Sequence, residues 1–190
     1  MKRIFILFLV AVAAFAAAAL ADHYTTARSS LTITGTSTLH DWKIESSTIN
    51  GEVVAPPISA WKDGITSVKV SIPVASIKAD HDRMTRIMQE ALKAKENPEI
   101  RYELTTASLQ NATADTFNVK AHGKLTIAGV TRDVDLDIEG KRITPISYTL
   151  SGSTPIRMTD YGIKPPVTMM NTLKTGNDVN VAFHWVVETR

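Results

Sequence analysis

The fold class follows from one stretch of the sequence, Phe117-Asn118-Val119-Lys120-Ala121-His122-Gly123-Lys124-Leu125-Thr126-Ile127. Each odd-numbered position in this stretch is apolar or glycine, and each even-numbered position is polar. Successive side chains of a β-strand point to opposite faces of a sheet. The stretch therefore predicts one long strand that buries its odd-numbered face and exposes the other face to water.

The same period of two recurs along the chain outside this stretch. It is found at 31–35, 42–45, 68–74, 133–138, 146–150 and 179–185. The segment before these strands, Asp22 to Ser30, is a polar lead-in. We predict about eight antiparallel strands, which can form either a sandwich or a closed barrel.

One segment has the period of an α-helix instead. Its apolar side chains fall at i, i+3, i+4, i+7 and i+8, namely at Met84, Ile87, Met88, Ala91 and Leu92. This spacing predicts an amphipathic helix from Asp82 to Ala94, with Asp80 or Asp82 as its N-cap. We expect its apolar stripe to pack against an opening or a side of the sheet structure.

Glycine and proline predict the interruptions between the strands. Asn50-Gly51 is typical of a hairpin, and Ala128-Gly129 predicts a turn. Ala55 to Asp63 contains two adjacent prolines and is predicted to be a loop. Pro73 has no backbone N–H to donate, which predicts a sheet edge or a bulge at that position.

Small residues interrupt the inward-facing rows of the predicted strands, at Gly35, Ala121, Gly123 and Gly152. They either leave room for a cavity or only ease the bending of the strands. An eight-stranded barrel holds its own side chains or one small ligand, so the sequence leaves both alternatives open.

The N-terminus has the three parts of a secretory signal peptide. Lys2 and Arg3 are basic, Ile4 to Leu20 is an apolar run of 17 residues, and Ala19-Leu20-Ala21 fits a cleavage motif. A run of this length is near the lower limit for a membrane span, so a retained anchor is the alternative. We predict a signal peptide at 1–21, cleaved after Ala21, and one domain at 22–190 without a stable membrane anchor.

Charge and cysteine content narrow the function classes. Loss of Lys2 and Arg3 from the 21 basic side chains leaves 19, equal to the 19 acidic ones, so no basic excess remains to bind nucleic acid. The chain has no cysteine, which excludes disulfides, thiolate chemistry and a lipid-modified cysteine. These features favour an exported protein of a Gram-negative periplasm.

An outer-membrane barrel is disfavoured because the outward rows are highly charged, as at Asp133, Asp135 and Asp137.

Signals for enzymatic chemistry are weak. The five histidines lack the spacing of a metal site, and no phosphate-binding glycine loop is found. Gly35-Thr36-Ser37-Thr38-Leu39 lacks the second glycine of a nucleophile elbow. A hydrolase that uses His40 and Asp41 would need a nucleophile beside them, and the sequence shows none. We therefore predict no enzymatic activity, no cofactor and no metal.

Several segments, taken in order, resemble the YceI-like family. Gly123-Lys124-Leu125-Thr126-Ile127-Ala128-Gly129-Val130-Thr131-Arg132 is similar to the family's most distinctive hairpin. The family's other elements are matched by 70–77, 97–102, 160–163 and 178–181. The segment from Gly35 to His40 departs from the family's usual opening, in which a phenylalanine follows the glycine.

The resemblance implies an all-β fold, an antiparallel eight-stranded lipocalin-like β-barrel with one amphipathic α-helix. It also implies a long apolar channel for a polyisoprenoid, an isoprenoid quinone or another amphiphilic lipid, and a periplasmic location. No catalytic residues come with the family. The residues expected to line the channel are Ile33, Ile44, Val70, Ile72, Leu104, Val119, Leu125, Leu136, Tyr148, Phe183 and Trp185.

A polar head group would need partners at a mouth of the channel. The candidates are His40, Asp41, Trp42, Arg132, Tyr161 and Asn171. The leading hypothesis is a periplasmic carrier of an apolar, isoprenoid-type lipid or quinone. The alternative is a structural or stress-response interaction protein whose barrel is filled by its own side chains. Assembly as a homodimer is left open.

Overall fold

A computed structural model describes residues 21–56, 65–168 and 172–189 of the 190-residue chain. Residues 1–20 of the predicted signal peptide, most of the predicted loop from Ala55 to Asp63, and Asn171 lie outside these ranges.

The described residues form ten strands and one α-helix. In chain order these are β1 Asp22–Ser37, β2 Trp42–Ser46, β3 Asn50–Ala55, β4 Ser67–Pro73, α1 Asp82–Ala91, β5 Glu99–Gln110, β6 Thr116–Ile127, β7 Val130–Thr144, β8 Ser147–Arg157, β9 Val167–Thr168 and β10 Leu173–Thr189.

The strands close into an antiparallel barrel. Neighbours follow the order β1-β3-β4-β5-β6-β7-β8-β10, and β10 pairs back onto β1. β2 and β3 pair with different halves of β1, so together they occupy one position in an eight-stranded barrel. β9 is a short extra strand on β10. The predicted fold class is confirmed, and the sandwich alternative is wrong because the β1–β10 pairing leaves no open sheet edge there.

The N-terminal half of β1 was predicted as a lead-in, which is wrong. β1 begins at Asp22 and is paired from there onward, with β3 on one side and β10 on the other. Tyr24 within this segment is buried in the core. A polar run can therefore form a strand when both of its backbone edges find partners and one large side chain is buried.

The predicted hairpin at Asn50-Gly51 is also wrong. β2 and β3 do not pair with each other, and both of these residues lie inside β3, where they pair with Ser71 and Val70 of β4. The break between β2 and β3 is bridged by hydroxyl groups instead. For example, the Ser29 hydroxyl accepts from the Ile49 N–H at 2.8 Å. By contrast, the predicted turn at Ala128-Gly129 is confirmed, and both of its residues have positive φ, as the tight turn between β6 and β7 requires.

Pro73 ends β4 and does not form a bulge. It pairs with Glu99 of β5, while the β3–β4 pairing stops at Ser71. At Pro73, β4 no longer has β3 as a partner. A backbone N–H is not needed on that side, so proline is tolerated there.

The helix is shorter at its end than predicted, and its cap differs. α1 stops at Ala91, because Lys93 enters the left-handed region with φ of 55°. His81 occupies the N-cap position without a side-chain hydrogen bond, and Asp82 lies in the first turn. α1 connects β4 to β5 and therefore lies at one end of the barrel, called here the helix end.

The outer face of the barrel follows the predicted alternation. Lys120 pairs with Asp137 at 3.0 Å, and Lys124 pairs with Asp133 at 2.9 Å, each directly across the β6–β7 register. These side chains are exposed, so each ion pair adds little to stability. The Lys124 ammonium nevertheless holds the pKa of the Asp133 carboxyl below its usual value. In the described ranges, no helix is both long and apolar enough to cross a bilayer.

Candidate ligand channel

The interior of the barrel contains two apolar chambers. The narrow chamber, far from α1, has a volume of about 150 Å³. An apolar cavity of roughly this size stays dry and can take up a small aromatic molecule. The wide chamber, at the helix end, has a volume of about 580 Å³, which is in the range of small-molecule binding sites.

The two chambers meet at a waist. Five residues line both of them, namely Leu31, Ile72, Leu125, Thr154 and Val181. Because these residues come from β1, β4, β6, β8 and β10, the waist is a ring of side chains around the barrel rather than a wall on one side. The two chambers therefore adjoin along the length of the barrel, with this ring between them, and together they are called the channel here.

The end of the narrow chamber away from α1 is filled by aromatic side chains. Tyr24, Phe117, Tyr148 and Trp185 are each 5% exposed or less. The rings of Tyr24 and Tyr148 meet edge to face at 5.6 Å, and those of Phe117 and Tyr148 at 6.2 Å. The Trp185 indole N–H donates to the Thr26 hydroxyl at 2.8 Å, so its buried polar atom is satisfied. This aromatic end closes the channel on that side.

Aromatic rings pack closely against inward-facing glycines of the barrel wall. A Cβ added at Gly152 would lie 2.8 Å from the Phe183 ring, and one at Gly51 would lie 2.6 Å from the Trp185 ring. Gly123 stands in the same relation to Tyr102, and Gly35 to Trp42. The glycines therefore do not themselves form the cavity. They let the rings approach the backbone closely, which leaves more of the centre of the barrel free.

All eleven residues expected to line the channel face one of the two chambers. Ile33 and Ile44 line the wide chamber, and Ile72 and Leu125 lie at the waist. The narrow chamber is lined by the other seven, Val70, Leu104, Val119, Leu136, Tyr148, Phe183 and Trp185. Strand alternation is thus consistent with their position on the inner face, while their role as a ligand channel stays a prediction.

The head-group candidates are separated by the fold. His40 and Trp42 line the wide chamber, and they also line an open cleft outside it to which Asp41 contributes. The Trp42 indole N–H donates to the backbone oxygen of Thr36 at 2.9 Å. His81 and Met84 likewise line both spaces, so this group marks the mouth of the channel.

Arg132 and Tyr161 line neither chamber nor the cleft. The Arg132 guanidinium donates to the backbone oxygen of Asp160 at 2.9 Å. Tyr161 is buried in the core cluster that surrounds the wide chamber, together with Ile163, and its burial raises the pKa of its hydroxyl. The structure therefore does not bring these two candidates to the mouth, and Asn171 is outside the described residues.

The geometry around His40 does not form a catalytic triad. The His40 Nδ1 is 2.7 Å from the backbone oxygen of Asp41, so the Asp41 carboxylate does not orient the ring. The Ser37 hydroxyl donates to the His40 backbone oxygen at 2.7 Å and not to the imidazole. A nucleophile, a base and an orienting carboxylate are thus not aligned at this position.

The helix contributes a wall of the wide chamber that the sequence analysis did not assign to the channel. Met84, Ile87, Met88, Ala91 and Leu92 all line this chamber. Although the stripe is apolar, no residue of α1 is buried. The stripe packs in part against the buried cluster at this end, with Met84 and Met88 among its contacts, and the rest of its surface faces the chamber. The sequence signal for this wall is the apolar stripe. Periodicity alone does not tell whether such a stripe packs in a core or lines a cavity.

Sequence comparison gives the family. The model of the YceI-like domain matches residues 21–187. The chain belongs to the YceI-like family. No curated protein matches it significantly.

Solved structures share the YceI-like fold at low sequence identity. A polyisoprenoid binding domain from Saccharophagus degradans, implicated in plant cell wall breakdown, is 14% identical, with a TM-score of 0.70 over 88% of this chain and 98% of that one. BcnA of Burkholderia cenocepacia is 19% identical, with a TM-score of 0.65 over 83% of this chain and 95% of that one. The YceI protein of Campylobacter jejuni is 18% identical, with a TM-score of 0.59 over 77% of this chain and 84% of that one.

Proposed function

We propose that this protein is a periplasmic carrier that holds an isoprenoid-type lipid or quinone in its channel and catalyses no reaction. The observation that carries the proposal is the pair of adjoining apolar chambers inside a closed barrel. A carrier needs such a space, whereas a purely structural barrel does not. The similarity to a polyisoprenoid binding domain supports the ligand class.

The energetics of such a site are sufficient without charged contacts. Burial of apolar groups contributes roughly 0.8 kcal/mol per CH₂, so a few isoprene units supply ~10 kcal/mol before costs. Ordering the flexible ligand offsets part of this gain. Micromolar affinity requires only about 8 kcal/mol net. The apolar lining of the channel can therefore hold a prenyl chain by desolvation alone.

The mouth provides contacts for any part of the ligand that reaches water. His40, His81 and Arg83 line the wide chamber and can bond to polar atoms there, and Trp42 offers an aromatic face.

We further propose that residues 1–21 direct export and are removed after Ala21. The intact mass of the protein recovered from a periplasmic fraction tests that step, and a mass that includes residues 1–21 would contradict it.

The carrier proposal is tested by blocking the waist. Leu125→Trp adds bulk where the two chambers meet, and Lys124→Trp adds the same side chain one residue away on the outer face. Binding of squalene and of a benzoquinone with a three-isoprene chain is measured by native mass spectrometry and fluorescence titration. Leu125→Trp is expected to weaken binding by about tenfold or more, equivalent to at least about 1.4 kcal/mol. Lys124→Trp is expected to bind like the wild type.

Two outcomes would count against the carrier proposal. A wild-type protein that carries no lipid after gentle purification and takes up neither probe has no carrier function. Equal loss of binding in both tryptophan variants would locate the ligand outside the channel. Circular dichroism of both variants separates blocked binding from a failure to fold.

A further inference from the structure

Two of the four large apolar side chains that the described residues expose lie at the helix end of the barrel. Leu39 is 71% exposed and directly precedes the mouth residue His40, and Val167 of β9 is 47% exposed. The other two, Ile143 and Ile146, are 52% and 56% exposed and lie at the β7–β8 turn, at the aromatic end. Single exposed apolar side chains are ordinary, so their place in the fold decides whether they matter.

Backbone hydrogen bonds hold the segments of Leu39 and Val167 on either side of the start of β10. The Thr38 N–H donates to the backbone oxygen of Lys174 at 3.0 Å, and the Thr38 hydroxyl donates to that of Thr172 at 3.2 Å. On the other edge of β10, Lys174 pairs with Val167. The two exposed apolar side chains therefore belong to one part of the surface.

This part of the surface adjoins the opening of the wide chamber. His40, which follows Leu39, and Pro166, which precedes Val167, both line that chamber. Leu39 and Val167 are not among its lining residues, so a ligand inside the chamber does not cover them. Whatever covers them lies outside the barrel, over the opening.

The same surface carries unpaired positive charge. Lys164 and Lys174 are exposed, and neither forms an ion pair within the described part of the chain. The flanking stretches 163–168 and 172–175 contain no acidic residue. Acidic side chains of this end, namely Asp41, Asp80 and Asp178, line the cleft instead.

Apolar and basic groups at one opening match a bilayer, which is apolar beneath a layer of anionic head groups. A second copy of the chain fits less well. A symmetric contact through this surface brings the same lysines of both copies together, and like charges in contact are unfavourable.

We propose that the rim, defined as Leu39, Lys164, Val167 and Lys174, docks on an anionic phospholipid bilayer with the wide chamber opening toward the membrane. Leu39 and Val167 enter the head-group layer, and the two lysines contact lipid phosphates. Few groups take part, so the attachment is weak and reversible. A lipid then passes between bilayer and chamber without crossing water, a consequence that rests on the carrier function proposed above.

Partition onto vesicles tests the apolar part of the rim. Protein recovered from the periplasmic fraction is mixed with vesicles of phosphatidylethanolamine and phosphatidylglycerol, and the bound fraction is measured by flotation. One variant combines Leu39→Ser with Val167→Ser. The matched control combines Ile143→Ser with Ile146→Ser, which removes side chains of similar exposure at the aromatic end. The rim variant should lower the partition coefficient about tenfold, and the control should stay within about twofold of the wild type.

The lysines supply an independent variant. Lys164→Gln combined with Lys174→Gln should bind these vesicles about fivefold more weakly, and vesicles of phosphatidylcholine alone as well as the wild type does. Lys120→Gln combined with Lys124→Gln makes the same change in net charge on the outer wall of the barrel and should bind within about twofold of the wild type. Added salt should weaken the wild type more than the rim lysine variant, because screening acts on the charges that the variant lacks.

Squalene binding without vesicles separates docking from binding inside the channel. Every variant should keep its squalene affinity within about twofold of the wild type. Circular dichroism confirms folding, and the lysine variant decides the test if the serine variant of the rim does not fold.

Three results would each overturn the docking surface and leave the carrier function standing. They are a wild type that does not float with the vesicles, equal losses in the rim and control variants, and self-association that the rim substitutions abolish while vesicle binding persists. Vesicle binding through the rim by a wild type that takes up no squalene overturns the carrier function and leaves the docking surface standing.

Discussion

The two ends of the barrel obey the same alternation rule but have different interiors. At the aromatic end, Phe117 and Tyr148 meet inside the barrel and are almost fully buried. At the helix end, Met84 and Met88 face a chamber of about 580 Å³, and no residue of α1 is buried. The difference teaches that an inward-facing row is not the same as a packed core. The size of the side chains and the element that covers the opening decide which one results.

The largest effect of a single substitution is expected at the aromatic end. Phe117→Ala removes a side chain that is 2% exposed and contacts the Tyr148 ring. The loss of buried area and the cavity left behind should lower the free energy of unfolding by about 3–5 kcal/mol. Urea denaturation of the ligand-free protein measures this change. A loss below that of Met88→Ala would mean that the aromatic end is not the stabilising core.

An intermediate effect on stability is expected where an aromatic ring packs against a glycine. A Cβ at Gly140 would overlap the ring of Phe117, which pairs with it across β6 and β7. Gly140→Ala should therefore lower the free energy of unfolding by about 1–3 kcal/mol through overpacking. The same substitution made together with Phe117→Leu serves as the control, since the smaller side chain gives the methyl group more room. If the cost is as large in that background, the ring contact is not its cause.

The smallest effect is expected at the helix end. Met88→Ala shortens a side chain that lines the wide chamber and is only partly buried. It enlarges a space that is already open, and alanine favours the helix, so the free energy of unfolding should fall by about 1 kcal/mol or less. Squalene binding should weaken at the same time because apolar contacts are lost. A large stability loss with unchanged binding would show that α1 is part of the packed core.

The alternation seen in β6 is enough to predict many of the inward-facing residues. Residues such as Val119 and Leu136 were placed on the inside by their period alone, since a strand turns every second side chain to the same face. The helix was found for the same kind of reason, because its stripe repeats at 3.6 residues. Its boundary at Ala91 could not be predicted, as the backbone of Lys93 leaves the helical region without a glycine to signal it.

Pairing between distant strands was beyond the sequence. Asn50-Gly51 has the composition of a turn, yet both residues are part of a strand because they pair with β4. Arg132 and Tyr161 are polar residues near the end of a strand, yet Arg132 bonds to the Asp160 backbone and Tyr161 is buried in the core cluster, so neither lines the mouth. Local composition does not tell which distant strand pairs with a given backbone segment, or which group forms a hydrogen bond with a given side chain.

The sequence by itself determined which side chains face inward, because the two-residue period of a strand is a property of the backbone and needs no partner. Only the tertiary structure decided that the interior is hollow. That outcome depends on the closure of β1 onto β10, on the close approach of aromatic rings to glycines such as Gly123 and Gly152, and on α1 at one end. The volume left inside a barrel depends on how side chains from many strands fill the same space. The order of residues along one strand does not determine that volume.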